Sequence, residues 1–126
     1  MNIQSKDLKL FFPTPIWTSV LPNYKDINKK IYEYIKTLKM KDPDGLVKSN
    51  FLGWHSKDFL LTDNQINEFI NNIFPKIENA IDDLGWDKQK NNIKITSMWS
   101  IINNKAASNG RHIHANNYIS AAYYVK

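Results

Sequence analysis

The chain alternates between two kinds of hydrophobic pattern. Residues 24–40 place Ile27, Ile31, Tyr34, Ile35 and Leu38 at spacings of three and four, with Lys29, Lys30, Glu33, Lys36 and Lys39 between them. That period gives one apolar stripe on a helix, and it predicts an amphipathic helix over 24–40. Asp42, Pro43, Asp44 and Gly45 then stop it. A second stripe runs through Ile66, Phe69, Ile70, Ile73, Ile77, Ile81 and Leu84. Thr62 and Gln65 have capping-box spacing, so a helix starting at Thr62 is expected, with Gly85 as its C-terminal stop. Pro75 interrupts the backbone hydrogen bonding there, because it has no N–H to offer Asn71. The stripe stays in register across it, which favours one kinked helix over two separate ones.

The period then falls to two. Ile93, Ile95, Ser97, Trp99, Ile101 and Asn103 share one face of an expected strand over 93–103. Residues 104–117 are polar and turn-rich, and 118–125 form a second expected strand. In front of the helices, residues 10–21 are aromatic and β-branched. They contain Pro13 and Pro15, which suits an edge strand or an extended arm. Residues 46–61 read as irregular, with Phe51 and Trp54 anchoring the loop to the core. Two helices on a late sheet make an α+β fold, one domain over 1–126. The last strand is left as an open edge, which invites self-association and hints at a truncated domain.

Composition removes several function classes. There is no cysteine, so disulfides, thiolate zinc sites and cysteine nucleophiles are excluded. No apolar run nears the roughly 20 residues needed to cross a bilayer, and the first twelve residues lack the features of a signal peptide. A cytoplasmic protein without a membrane partner is expected. The net charge of +5 comes from sixteen lysines, one arginine and twelve acids. Lys, Asn and Ile each occur sixteen times, as AT-rich codons would give. Arginine, the preferred phosphate-binding fork, is nearly absent, so no specific nucleic-acid partner is expected.

Candidate chemistry concentrates in His112-Ile113-His114. In an extended chain, residues two apart point the same way, roughly 6.6 Å apart at about 3.3 Å per residue. Two imidazoles so placed can share one metal ion, though imidazole suits iron, zinc, copper and nickel alike. His55 reads as a structural loop residue beside Trp54, and Arg111 as a solvated neighbour of His112. The four tryptophans read as core residues rather than a base-stacking surface. Asp82 and Asp83 read as a solvated helix face. Tyr123 and Tyr124 face opposite sides of their strand, one toward the core and one toward a pocket.

The surroundings of the pair carry a resemblance. RHIHANNYISAAYYVK resembles the metal-binding turn of the prolyl-hydroxylase type of iron(II)/2-oxoglutarate dioxygenases. A closer likeness is to a bacterial and phage family of 2-oxoglutarate/iron(II) oxygenases. Its "lFPTPvW" arm matches Phe12 to Trp17, and its "SN…GWhS" segment matches Ser49-Asn50 and Gly53 to Ser56. Its "sMWaxxN" strand matches Ser97 to Asn103, and its "HxHxNxxlSgxyYv" turn matches His112 to Val125. The resemblance implies a double-stranded β-helix, or jelly roll, with supporting helices, here truncated after the first core strands. It implies Fe(II) as cofactor and 2-oxoglutarate as co-substrate. His112 is then the first ligand, and His114 stands where relatives usually have a carboxylate. Tyr124 matches a tyrosine that hydrogen-bonds the distal carboxylate of 2-oxoglutarate, and Asn103 lines the pocket. Ala115 and Ala121 replace a common proline and glycine.

The family continues into strands that supply a distal histidine and a basic co-substrate clamp, so the 126 residues alone are expected to be inactive. The expected activity of the complete domain is hydroxylation of a small molecule or peptide. Two alternatives stand beside it. One is a non-catalytic remnant or binding module of the same fold. The other is a cupin-like HxH metal protein completed by ligands from another chain, a homo-oligomer among the arrangements that allow this.

Overall fold

The structure, a computed structural model, describes residues 12–126. Residues 1–11, with the part of the expected arm at 10–11 and most of the segment read for signal-peptide features, lie outside the described residues. The first helix, α1 (Tyr24–Lys41), buries Ile27 and Ile31 and half-buries Tyr34, Ile35 and Leu38, which is the expected stripe. Asp26 in its first turn and Lys39 and Lys41 in its last oppose the helix dipole favourably. The residues that follow close tightly. The Asp42 carboxylate pairs with Lys57 at 3.0 Å and accepts the Gly45 N–H at 3.3 Å. These two donors hold the Asp42 carboxyl below the usual carboxylate range.

Residues 46–61 are more regular than expected. They contain β1 (Asn50–Phe51) and β2 (Trp54–His55). Asn50 folds the turn between them by donating to the carbonyls of Leu46 and Gly53, and Leu52 takes a φ of 57°. Trp54 is buried and donates its indole N–H to the Asp42 carbonyl at 2.9 Å. Phe51, expected as an anchor, is instead 63% exposed.

The second helix, α2 (Asn64–Asp83), starts one residue later than the capping-box spacing indicates. Asp63, not Thr62, is the N-cap, with extended dihedrals and a carboxylate that accepts the Gln65 N–H at 2.8 Å. An ionised oxygen held opposite the positive helix end is a stronger acceptor than the threonine hydroxyl. Pro75 lies inside an uninterrupted α2, as the in-register stripe requires. The end is a Schellman motif. Gly85 takes φ +70° and donates to Asp82, while Trp86 donates to Ile81.

Between the helices sits the core: Leu21, Ile27, Ile31, Phe59, Ile66 and Phe69. The helices face β-type segments from later in the chain. β3 (Ile101–Ile102) pairs antiparallel with β2, and β4 (Ser108–Asn109) pairs antiparallel with β1. The β2–β3 pairing continues as backbone bonds from Ser56 N–H to Ser100 and from Phe59 N–H to Met98. The fold is therefore α+β, with two helices and two short antiparallel strand pairs, and the described residues form no barrel.

Both expected long strands contract. Of residues 93–103 only 101–102 join a ladder, and residues 118–125 join none. A strand exists by pairing, and among the described residues only 54–59 lie alongside to pair with. The face assignment also shifts. Met98, off the expected apolar face, packs on the core, while Trp99 turns toward the histidines. Residues 118–125 dock by side chains instead. Tyr123 packs edge-on to Phe69 at 5.0 Å and donates to Asn28 at 2.6 Å, and Asn28 donates to the Val125 carbonyl at 2.6 Å. Burial pushes the Tyr123 phenol up from its usual range. No helix among the described residues is long and apolar enough to cross a membrane.

Candidate metal centre

The turn that carries the histidines is tied at both ends. Gly110 donates its N–H to the Ser49 carbonyl at 2.7 Å, just past β4. Beyond the pair, Asn116 adopts φ 62° and Asn117 donates to the Ala115 carbonyl at 2.9 Å, closing a tight turn. Thr96 donates to the Asn117 side-chain oxygen at 2.6 Å and ties the turn to the extended segment before β3. Asparagine tolerates the left-handed region and hydrogen-bonds locally, so the ANN sequence suits this place.

Within that frame His112 and His114 face each other. Their ring centroids are 4.9 Å apart and their Nε2 atoms 2.9 Å apart. The outer nitrogens are anchored away from the gap. His112 Nδ1 lies 2.8 Å from the Gly110 carbonyl oxygen, and His114 Nδ1 lies 2.9 Å from the Ser120 hydroxyl. A carbonyl only accepts, so the contact calls for the His112 proton on Nδ1, and in the neutral ring this leaves Nε2 as the acceptor. Outer partners of this kind fix ring orientation in metal sites. His112 is exposed, and His114 is half-buried against the edge of Trp99, centroids 5.3 Å apart.

The other side chains singled out in the sequence fall as follows. His55 is buried, with Nδ1 2.6 Å from the Ser56 carbonyl, and its ring stacks on Trp99 at 5.8 Å. It is a packing residue on the same tryptophan that supports His114. Asn103 closes against Gly53, where a Cβ would collide with its side-chain oxygen. Tyr124 is 85% exposed. No hydrogen bond joins Asn103 or Tyr124 to the imidazole pair. Arg111 is exposed, as a solvated neighbour should be. The tryptophans each have separate partners. Trp17 donates to Asp83 at 2.8 Å, Trp86 packs edge-on to Tyr118, and Trp54 and Trp99 support the loop and His114. Asp82 and Asp83 lie on the exposed helix face expected of them, where Asp82 pairs with Lys88 at 2.7 Å.

Among the described residues no group of three His, Asp or Glu side chains converges on one point, so the pair supplies two ligands. A cavity of about 170 Å³ between α1 and α2, under the Lys30–Glu68 ion pair, contains none of the candidate site residues. Sequence reasoning did not find Ser120 as a partner of the pair. The available signal was a single serine among the aromatic and aliphatic residues of the run YISAAYYV. The chain matches no family model, no curated protein and no solved structure.

Proposed function

We propose that the chain carries the metal-binding turn of an oxygenase of the 2-oxoglutarate/Fe(II) type, whose substrate is a small molecule or peptide. His112 and His114 hold the metal, and Tyr124 and Asn103 serve the co-substrate. The observation that carries this reading is the convergence of two anchored imidazoles, Nε2 to Nε2 at 2.9 Å. Two nitrogen ligands each about 2.1 Å from one ion and at right angles stand roughly 3.0 Å apart, so the pair suits adjacent positions of an octahedral ion. The imidazole donor set suits iron, and the resemblance of the HxH turn and its three companion motifs names iron among the alternatives. Bound Fe(II) supplies oxygen activation coupled to decarboxylation of 2-oxoglutarate to succinate.

The residues of the chain do the rest. The Gly110 carbonyl and Ser120 orient the two ligands. Trp99 shields the inner side of His114 from water. The roles of Tyr124 and Asn103 rest on the family resemblance alone.

Anaerobic calorimetric titration with Fe(II) tests the metal. Binding should be weak with two imidazoles, and His112→Ala or His114→Ala should abolish it. Equal binding by the double alanine variant discards the site. Adding 2-oxoglutarate tests the oxygenase reading. A co-substrate that chelates the bound ion must tighten iron binding by linkage, and Tyr124→Phe should weaken that gain. Iron affinity indifferent to 2-oxoglutarate rules the reading out while leaving a metal site.

A further inference from the structure

The two histidines are anchored by chemically different partners. The Gly110 carbonyl can only accept, so His112 is confined to the tautomer with its proton on Nδ1. Ser120 presents a hydroxyl, which can accept from His114 Nδ1 or donate to it. This asymmetry meets a constraint in the gap. Two bare lone pairs repel at 2.9 Å, so without a metal one Nε2 must donate a proton to the other, whereas a cation about 2.1 Å from both would sit beside that line.

We propose, resting on the metal reading above, that Ser120 is the positioning residue of the pair: its hydroxyl serves both tautomers of His114 and so lets a cation replace the proton between the imidazoles. In the metal-free protein His114 carries its proton on Nε2 and donates it to His112, while Ser120 donates to His114 Nδ1. With a divalent cation bound, His114 carries its proton on Nδ1 and donates it to Ser120, and both Nε2 lone pairs face the ion. The proton leaving Nε2 passes to solvent and Nδ1 takes one up from solvent, so no net charge is released. Neither anchor is broken in the exchange. His112 needs no such freedom, because its Nε2 is an acceptor in both states. Ser120 is exposed, so its replacement by alanine leaves no cavity.

Imidazole 15N NMR on the full chain tests this, with Zn(II) as a diamagnetic probe, on wild type, Ser120→Ala and Ser120→Thr. In the metal-free wild type, His112 should show the Nδ1–H tautomer and His114 the Nε2–H tautomer. Zn(II) should move His114 to Nδ1–H. Ser120→Ala should weaken Zn(II) binding about 10- to 100-fold, the usual cost of losing an outer partner. Ser120→Thr should restore it, and the unfolding midpoint should be the same in all three. An unchanged His114 tautomer on Zn(II) binding overturns the inference. So does equal Zn(II) affinity in wild type and Ser120→Ala while His112→Ala loses binding, and the metal reading survives that result. No Zn(II) binding by wild type overturns both.

Discussion

The helix pair and the histidine turn are organised by opposite means. In α1 and α2 the backbone satisfies itself, and side chains of one type repeat until they form a shared core, with Ile66 fully enclosed. In residues 104–126 only Ser108 and Asn109 join a ladder. That region is held by a few polar contacts, such as Gly110 to Ser49, Thr96 to Asn117 and Tyr123 to Asn28, and by Tyr123 packing on Phe69. A region built on repeated apolar contact resists local opening. One built on few, exposed hydrogen bonds opens at low cost. The chemistry sits on the second kind, which is held against the first through Tyr123.

The largest effect should come from the core. Ile66→Ala removes a fully buried side chain at the α1–α2 contact and should cost about 2–5 kcal/mol in a denaturant melt. Because Phe69 is both a core residue and the partner of Tyr123, the loss should also loosen residues 118–125. Amide exchange there should quicken with the helices. Exchange unchanged in 118–125 would mean that the two regions are energetically separate.

Gly45 probes the junction between the two regions. It holds φ +65°, and an added Cβ would stand 2.5 Å from the His55 carbonyl oxygen and 2.6 Å from Trp54 Nε1. Left-handed strain alone costs an alanine about 1–2 kcal/mol, and the collision with backbone adds to it. Gly45→Ala should therefore lower stability by about 2 kcal/mol or more. It should disturb the Leu46–His55 bond and the β2–β3 pair before it disturbs the helices. Stability equal to wild type would show that this turn relaxes freely.

The helices were legible because their signal is redundant. Six apolar positions carry the stripe within α2, so Pro75 could not hide it, and Gly85 marked its end by a conformation that glycine adopts most cheaply. The β region was less legible because alternation reports which way side chains face, not whether a neighbour is there to pair. Ile93, Ile95, Tyr123 and Val125 alternate as a strand would, yet none joins a ladder. For the site, the HxH spacing pointed to two rings on one side, and their Nε2 atoms lie 2.9 Å apart. The anchors of those rings were not foretold. One is a backbone carbonyl, which has no sequence signature. The other, Ser120, lies beyond a turn whose geometry depends on Asn116 and Asn117.

The smallest effect sharpens the same lesson within α2. Spacing pointed to Thr62 and Gln65 as the cap, whereas the structure gives the role to Asp63, whose carboxylate accepts the Gln65 N–H at 2.8 Å. Asp63→Ala should lower stability by about 1 kcal/mol, the usual cost of removing an N-cap acceptor. Thr62→Ala should change it by much less, since Thr62 is exposed and makes no cap bond. If Thr62→Ala proved the costlier substitution, the capping box would be restored and α2 would begin a residue earlier. The helix would then start where its sequence pattern does, and the contrast with the β region would be sharper still.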